Sequence, residues 1–396
     1  MSAHKHYLLI SSEFPPGPGG IGKHAYCLAK ALVHHNVSVT VVCNMDYASD
    51  DEIDAFKAKL PAGMRIVHIR RQGFATYLNR IKTITALCKQ QQFDKVIVSG
   101  QFSIWMGALL KMLYGKKIFS GAFVHGSELL IGGSIKRRLT QLSLHKQDAL
   151  WPVSHYTKSL LHKAGVSKNI KLIPNGIDIS EWEHSRIEKL PWKGYPNLLT
   201  TGSLTKRKGQ HNIINALPVL IKQYPEIHYH MVGLPVQAEA IKQQAKLLSV
   251  ENHITIYGRL SDVDLKKAYS TADVFCMLSE ENNGDVEGFG IAVLEANING
   301  VPAIGSRNTG IEDAINDNVT GKLVNAHNAE EVLAAIQQLL TADKAALQAN
   351  CRSWAMAHDW DEVVKALLGG YWLYPIRIIT LITTVPLLAG GRLSGK

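Results

Sequence analysis

One pattern, used twice, limits what this chain can fold into. Residues 7–11 (Tyr-Leu-Leu-Ile-Ser) and 198–202 (Leu-Leu-Thr-Thr-Gly) are strand-length apolar runs, and each opens an α/β unit through a glycine-bearing loop. In the first half, residues 21–34 have helical spacing and residues 37–42 read as a second strand, which makes a β-loop-α-β opening. In the second half, residues 228–233, 254–258 and 272–277 supply further strands. A chain of 396 residues is too long for one ordinary core, so two domains are expected. The 46% hydrophobic content and 32 glycines fit a folded α/β protein rather than a disordered one.

The chemistry concentrates in residues 287–295. Glu287 stands beside Gly288, Phe289 and Gly290; an apolar segment from Ile291 follows, with Glu295 inside it and Gly300 as a stop. A carboxylate in an apolar helical turn needs a partner for its lone pairs, and a pair of vicinal hydroxyls is one such partner. Eight helical positions separate the two carboxylates by at most about 12 Å, within reach of one extended ligand. The N–H groups of Gly288, Phe289 and Gly290 lie at a helix N-terminus, where an anion or a sugar hydroxyl is well received. From these residues alone a second reading stands equally: Glu287 as a solvated loop charge and Glu295 as the partner of a core polar group.

Glu-Gly-Phe-Gly, an apolar helix with a second Glu, and then Gly-Val-Pro resemble the donor-site signature of the retaining glycosyltransferases of family four. The resemblance extends over residues 7 to about 372. His125-Gly126 ends a strand, Val153-Ser154-His155-Tyr156-Thr157 is similar to a Val-Ser-x-x-Thr turn, and Pro174-Asn175-Gly176-Ile177-Asp178 is similar to Pro-Asn-Gly-Val-Asp. The stretch from Gly202 to Gly209 is similar to Gly-Arg-Leu-x-x-x-Lys-Gly, with Ser203 in place of Arg; Thr309 replaces the first glycine of Gly-Gly-Ile-x-Glu. The resemblance implies the GT-B fold: a first Rossmann-like domain over residues 1–182, a linker over 183–197, and a nucleotide-sugar-binding domain over 198–355. A crossover helix over 356–372 and an apolar tail over 373–396 complete it.

It also implies roles. Glu287 holds sugar hydroxyls, Glu295 the ribose hydroxyls, and His125 the far side of the sugar. Lys208 stabilises the departing diphosphate, together with the N–H groups near Gly19 and Gly20 and those of Gly288 to Gly290. Arg207 or Lys206 makes up the charge missing at Ser203, or Ser203 contributes one neutral hydrogen bond. Arg259 lies in the loop expected to hold the base. The expected donor is a UDP- or GDP-linked hexose, the acceptor a saccharide or lipid-linked saccharide of a bacterial surface polysaccharide such as lipopolysaccharide, with no cofactor and no catalytic metal.

Two other enzyme readings remain at this level. A hydrolysing nucleotide-sugar epimerase can share the fold. Gly17, Gly19 and Gly22 satisfy Gly-x-Gly-x-x-Gly with Asp46 after the second strand, as in an NAD-dependent oxidoreductase, although the loop is long and rich in proline. A non-catalytic membrane scaffold is a third.

Charge is uneven. Residues 1–190 hold 25 Lys and Arg against 13 Asp and Glu, whereas residues 191–396 hold 18 against 20. Such asymmetry points to an anionic partner of the first half, and no nucleic-acid module accompanies it. Phe74, Tyr77, Leu78, Ile81, Ile84 and Cys88 are spaced on one helical face among Arg70, Arg71, Arg80, Lys82 and Lys89, with Lys136, Arg137, Arg138 and Lys146 further on. This face either docks on anionic lipid or packs on its own core. The apolar run 378–389 is too short to span a bilayer of about 30 Å, so the tail is expected to be an interfacial anchor or a segment packed in a groove. Five cysteines without a Cys-x-x-Cys pair and no signal-like leader suit a cytoplasmic protein, peripheral on the inner face of the plasma membrane.

Overall fold

The structure is a computed structural model; it describes residues 5–369 except 18, 46–47, 71–72, 74 and 183–187. Asp46, Arg71, Phe74, most of the charged linker start and the whole apolar tail lie outside the described residues.

Twelve strands form two six-stranded sheets, parallel throughout. The first has β1 (Lys5–Ser11), β2 (Val37–Cys43), β3 (Met64–His68), β4 (Lys95–Ser99), β5 (Ser120–Val124) and β6 (Ala149–Pro152), in the order β3-β2-β1-β4-β5-β6. The second has β7 (Asn197–Thr201), β8 (His228–Val232), β9 (Ile254–Ile256), β10 (Val274–Met277), β11 (Ala303–Ser306) and β12 (Gly321–Val324), in the order β12-β11-β10-β7-β8-β9. The strand that opens each domain is therefore central, with Leu9 between Val41 and Ile97, and Leu199 between Phe275 and His230. Residues 7–11 and 197–201 are buried without alternation, as strands covered by helices on both faces must be.

Chain order reverses on either side of β1 and of β7, and doubly wound sheets bind ligands at such points, beyond the strands' C-terminal ends. Both domains present those ends to a shared cleft. At its back, the chain leaves and re-enters the first domain through one seam. Ile177 N donates to His358 O at 2.8 Å, and Trp360 N donates to Ile177 O at 3.2 Å. The helix Trp360–Leu367 then packs on the helix Gly20–His34, with the His24 and Trp360 rings 5.0 Å apart.

The basic helix expected to show one apolar face is divided. In Ala75–Gln90, Ile84 and Leu87 are buried in the first domain, while Tyr77 and Leu78 are exposed. The first domain covers the apolar positions towards the C-terminal end of this helix and leaves those at its start exposed, so part of the expected face packs on the core. No helix among the described residues is long and apolar enough to cross a membrane.

Candidate active site

The loop after β7 carries three successive cations through a short 3-10 turn, Lys206–Lys208, which ends at Gly209. Gly209 has φ 75°, and a Cβ there would overlap the Leu278 carbonyl. The turn is thereby pressed against the segment that follows β10. Lys208 lies over Gly202 and places Nζ 2.7 Å from Glu287 Oε2; the Arg207 Nη1 group pairs with the same oxygen, and its Nε lies 3.0 Å from Asp285 Oδ2. Burial opposes ionisation of Glu287, but Lys208 and Arg207 outweigh it and hold the carboxyl at about 2. Lys206 diverges towards Glu280, 3.7 Å away. Of the two residues open to replace the charge missing at Ser203, Arg207 is the one in the cluster. Ser203 is half-buried, and its carbonyl accepts from Gln210 Nε2 at 3.3 Å.

Glu295 lies in the helix Ile291–Ile298, which Gly290 caps with φ 90°. The Tyr269 hydroxyl donates to Glu295 Oε2 at 2.7 Å, and Lys23 Nζ pairs with Oε1. Burial disfavours the charge on Glu295; the Lys23 ammonium prevails, and the carboxyl sits below its ordinary value. In this structure, then, an ammonium and a phenol occupy the carboxylate for which vicinal hydroxyls were expected.

Across the cleft, His125 follows β5. Its Nε2 is 2.9 Å from Ser99 Oγ and its ring 4.9 Å from that of His24. Burial lowers its pKa to about 4, so the imidazole is neutral at pH 7. Behind it, the buried Glu128 accepts from the N–H groups of His125 (3.1 Å) and Gly126 (2.9 Å). Burial pushes the Glu128 carboxyl up to about 7 despite those donors.

The glycines bring backbones together. A Cβ on Gly288 would overlap the His125 carbonyl oxygen, so Glu287 and His125 belong to segments in van der Waals contact across the cleft. Gly20, which begins its helix, is open, whereas a Cβ on Gly19 (φ 133°) would overlap the Glu13 carboxylate.

Two further residues expected at the donor lie outside the cluster on Glu287. Phe289 is 1% exposed, with its ring 6.1 Å from His358; its side chain is a core residue, and only its backbone faces the loop. Arg259 is exposed on the loop after β9 and outside the Glu287 cluster. The expectation of no catalytic metal took the sequence to hold no Asp-x-Asp site, yet two such spacings occur, Asp262 with Asp264 and Asp359 with Asp361. Both belong to helix N-termini, where carboxylates are stabilised by the positive end of the dipole, and no group of three metal-ligating side chains occurs among the described residues.

Sequence reasoning missed Lys23, Tyr269, Ser127, Asp285 and Asp313. Asp313 joins the domains, accepting from His155 N (2.5 Å) and lying 2.6 Å from its Nδ1. Proximity in sequence marks four of the five: Lys23 lies one helical turn past the glycine loop, and Asp285 two residues before Glu287. Ser127 lies two residues after His125 and Asp313 directly after Glu312, so only Tyr269 has no local mark.

Residues 183–355 match the family "Glycosyl transferases group 1", and residues 18–181 match "Glycosyltransferase Family 4". The chain is 27% identical to a GDP-mannose-dependent alpha-(1-6)-phosphatidylinositol monomannoside mannosyltransferase of Mycobacterium tuberculosis, over 91% of this chain and 96% of that one. It is 25% identical to the GDP-mannose-dependent monoacylated alpha-(1-6)-phosphatidylinositol monomannoside mannosyltransferase of Corynebacterium glutamicum, over 86% and 90%. Among solved structures, Anabaena HepE in complex with UDP and glucose shares the fold, with a TM-score of 0.72 at 17% identity over 92% of this chain and 98% of that one. The two-domain architecture is GT-B, and the dehydrogenase reading of the glycine loop gives way. The two family matches adjoin and together cover most of the chain, which accordingly belongs to the group 1 glycosyltransferases, with a family-four first domain.

Proposed function

We propose that the protein transfers a hexose from a nucleoside-diphosphate sugar to a membrane-lipid glycoside, with retention at the anomeric carbon. The observation that carries this reading is the grouping of Lys208 and Arg207 on Glu287, directly across the cleft from His125. Bond cleavage at the anomeric carbon leaves negative charge on the diphosphate, and two preorganised cations in a desolvated cleft stabilise that charge. As phosphate oxygens take over Lys208 and Arg207, the Glu287 carboxylate becomes available to sugar hydroxyls. Neutral His125 offers a hydrogen bond from the facing wall. Two cations suffice for the diphosphate charge, so this reading uses neither metal nor cofactor. Closure of the cleft excludes water, the competing acceptor.

The mycobacterial and corynebacterial relatives are GDP-mannose-dependent by name, which makes GDP-mannose the first donor to test, with UDP-glucose second. Those relatives act on phosphatidylinositol mannosides. The first domain suits a lipid-bound acceptor: in the helix Ser134–Leu144, Ile135, Leu139 and Leu142 are exposed beside exposed Lys136, Arg137 and Arg138. Apolar side chains among cations fit an anionic bilayer surface. The reading therefore places the enzyme peripherally on the inner face of a bacterial plasma membrane, where it builds a surface glycolipid or polysaccharide.

The test is transfer of labelled hexose from GDP-mannose and UDP-glucose to lipid extracts, with the product anomer assigned by NMR. Wild type is expected to transfer from one donor with retention, and Glu287→Gln and Lys208→Ala to lose most turnover. Undiminished turnover in both variants, or an inverted product, overturns the reading.

A further inference from the structure

We infer that Asp285 is a positioning residue through which closure of the cleft sets the Arg207 guanidinium in place, with Ser127 of the first domain as the contact that reports closure. The segment ahead of Glu287 is a tight hairpin turn. Asn282 and Asp285 exchange backbone hydrogen bonds of 3.0 and 2.9 Å, and Asn283 (φ 51°) and Gly284 (φ 82°) take the two left-handed positions that an Asn-Gly pair favours. The turn projects from the second domain onto the first: a Cβ on Gly284 would stand 2.9 Å from the Leu130 carbonyl, and Val286 N donates to Ser127 Oγ at 3.2 Å.

At its end, one carboxylate serves both domains. Asp285 Oδ1 accepts from Ser127 Oγ at 3.0 Å, and Oδ2 accepts from Arg207 Nε at 3.0 Å. A guanidinium is planar, so holding Nε on Asp285 and Nη1 on Glu287 fixes its whole orientation. Glu287 is itself gripped by Lys208, whereas the Asp285 side chain is 48% exposed and depends on Ser127 for its rotamer. Ser127 stands two residues after His125 and departs with that wall when the cleft opens. Asp285 then loses its hydroxyl donor and Arg207 one of its two anchors. Closure and charge placement are thereby a single event, which keeps the cleft from acting on the donor while water can enter.

The inference rests on the proposed role of Arg207 at the diphosphate, and two readouts separate the failure of one from the failure of the other. In ligand-free protein carrying [15N]arginine, hydrogen exchange at Arg207 Nε is expected to be faster in Ser127→Ala and in Asp285→Asn than in wild type, and restored in Ser127→Thr. In transfer assays, Ser127→Ala is expected to lower kcat about tenfold, the worth of one charge-assisted hydrogen bond, with the KM for donor little changed. The double variant should be no slower than Asp285→Asn alone. Exchange at Arg207 unaltered by Ser127→Ala, or losses that multiply in the double variant, overturns the inference. If wild type transfers no sugar, the proposed function fails while the exchange measurement still decides the coupling.

Discussion

Lys23 of the first domain and Glu295 of the second form an ion pair across the cleft, 272 positions apart in sequence. The carboxylate is buried, and the lysine side chain is 45% exposed. Glu295 raises the Lys23 pKa against burial, so each group favours the charged form of the other. Lys23→Met leaves the carboxylate with Tyr269 alone. Because the lysine side chain is partly exposed, the expected destabilisation is about 1–2 kcal/mol, below the cost of breaking a fully buried pair. Calorimetric melting checks it, and Glu295→Gln in the same background should recover most of the loss.

Glu287 gives the fold an acid sensitivity with a defined window. Its pKa falls from an ordinary 4.5 to about 2, because Lys208 and Arg207 outweigh the burial that opposes its charge. The folded state therefore binds fewer protons than the unfolded state between those values. This contribution, up to about 3 kcal/mol, is present above pH 4.5 and lost as pH falls through about 2. Denaturant melts from pH 6 to pH 2 should show a fall in wild type that is clearly smaller in Glu287→Gln. Parallel curves would contradict the assignment.

Glu128 acts with the opposite sign. Burial raises its pKa from 4.5 to about 7, so its contribution is fully present below pH 4.5 and disappears as pH rises through about 7. Glu128→Gln keeps an oxygen for the His125 and Gly126 N–H groups and cannot ionise. It is expected to match wild type near pH 4.5 and to exceed it by up to about 3 kcal/mol at pH 9. A constant difference across that range would place the ionisation elsewhere.

Gly288→Ala should act on closure rather than on either domain. The new methyl would overlap the His125 carbonyl, and the two segments can part only if the cleft widens. A larger radius of gyration in solution scattering and loss of transfer are expected, with each domain's hydrogen-exchange protection intact. Wild-type compaction would show that the backbone absorbs the methyl.

The strands and most helices were legible because continuous apolar runs ending in glycine specify buried parallel strands on local chemistry alone. Glu295 stood out as a carboxylate in an apolar turn, and the helix that carries it begins where its sequence predicts. Its partners did not stand out, because nothing near Lys23 or Tyr269 records that folding brings them together. The ring of Phe289 was not legible for a related reason: glycines on both sides mark a loop whose backbone approaches something, and they say nothing of where the ring goes. The divided face of Ala75–Gln90 shows that helical spacing finds apolar positions without revealing which of them the rest of the domain covers.

The seam at Ile177, His358 and Trp360 determines how this enzyme can breathe. Two lengths of backbone cross between the lobes, and they are stitched to each other at the crossing. A single tether would let the lobes tumble, whereas paired and hydrogen-bonded strands behave like a pinned door, for which one swing angle describes nearly every excursion. The far lip of the cleft, where Ser127 meets Asp285, then travels furthest for a given angle, while the contact of His24 with Trp360 at the pin scarcely moves.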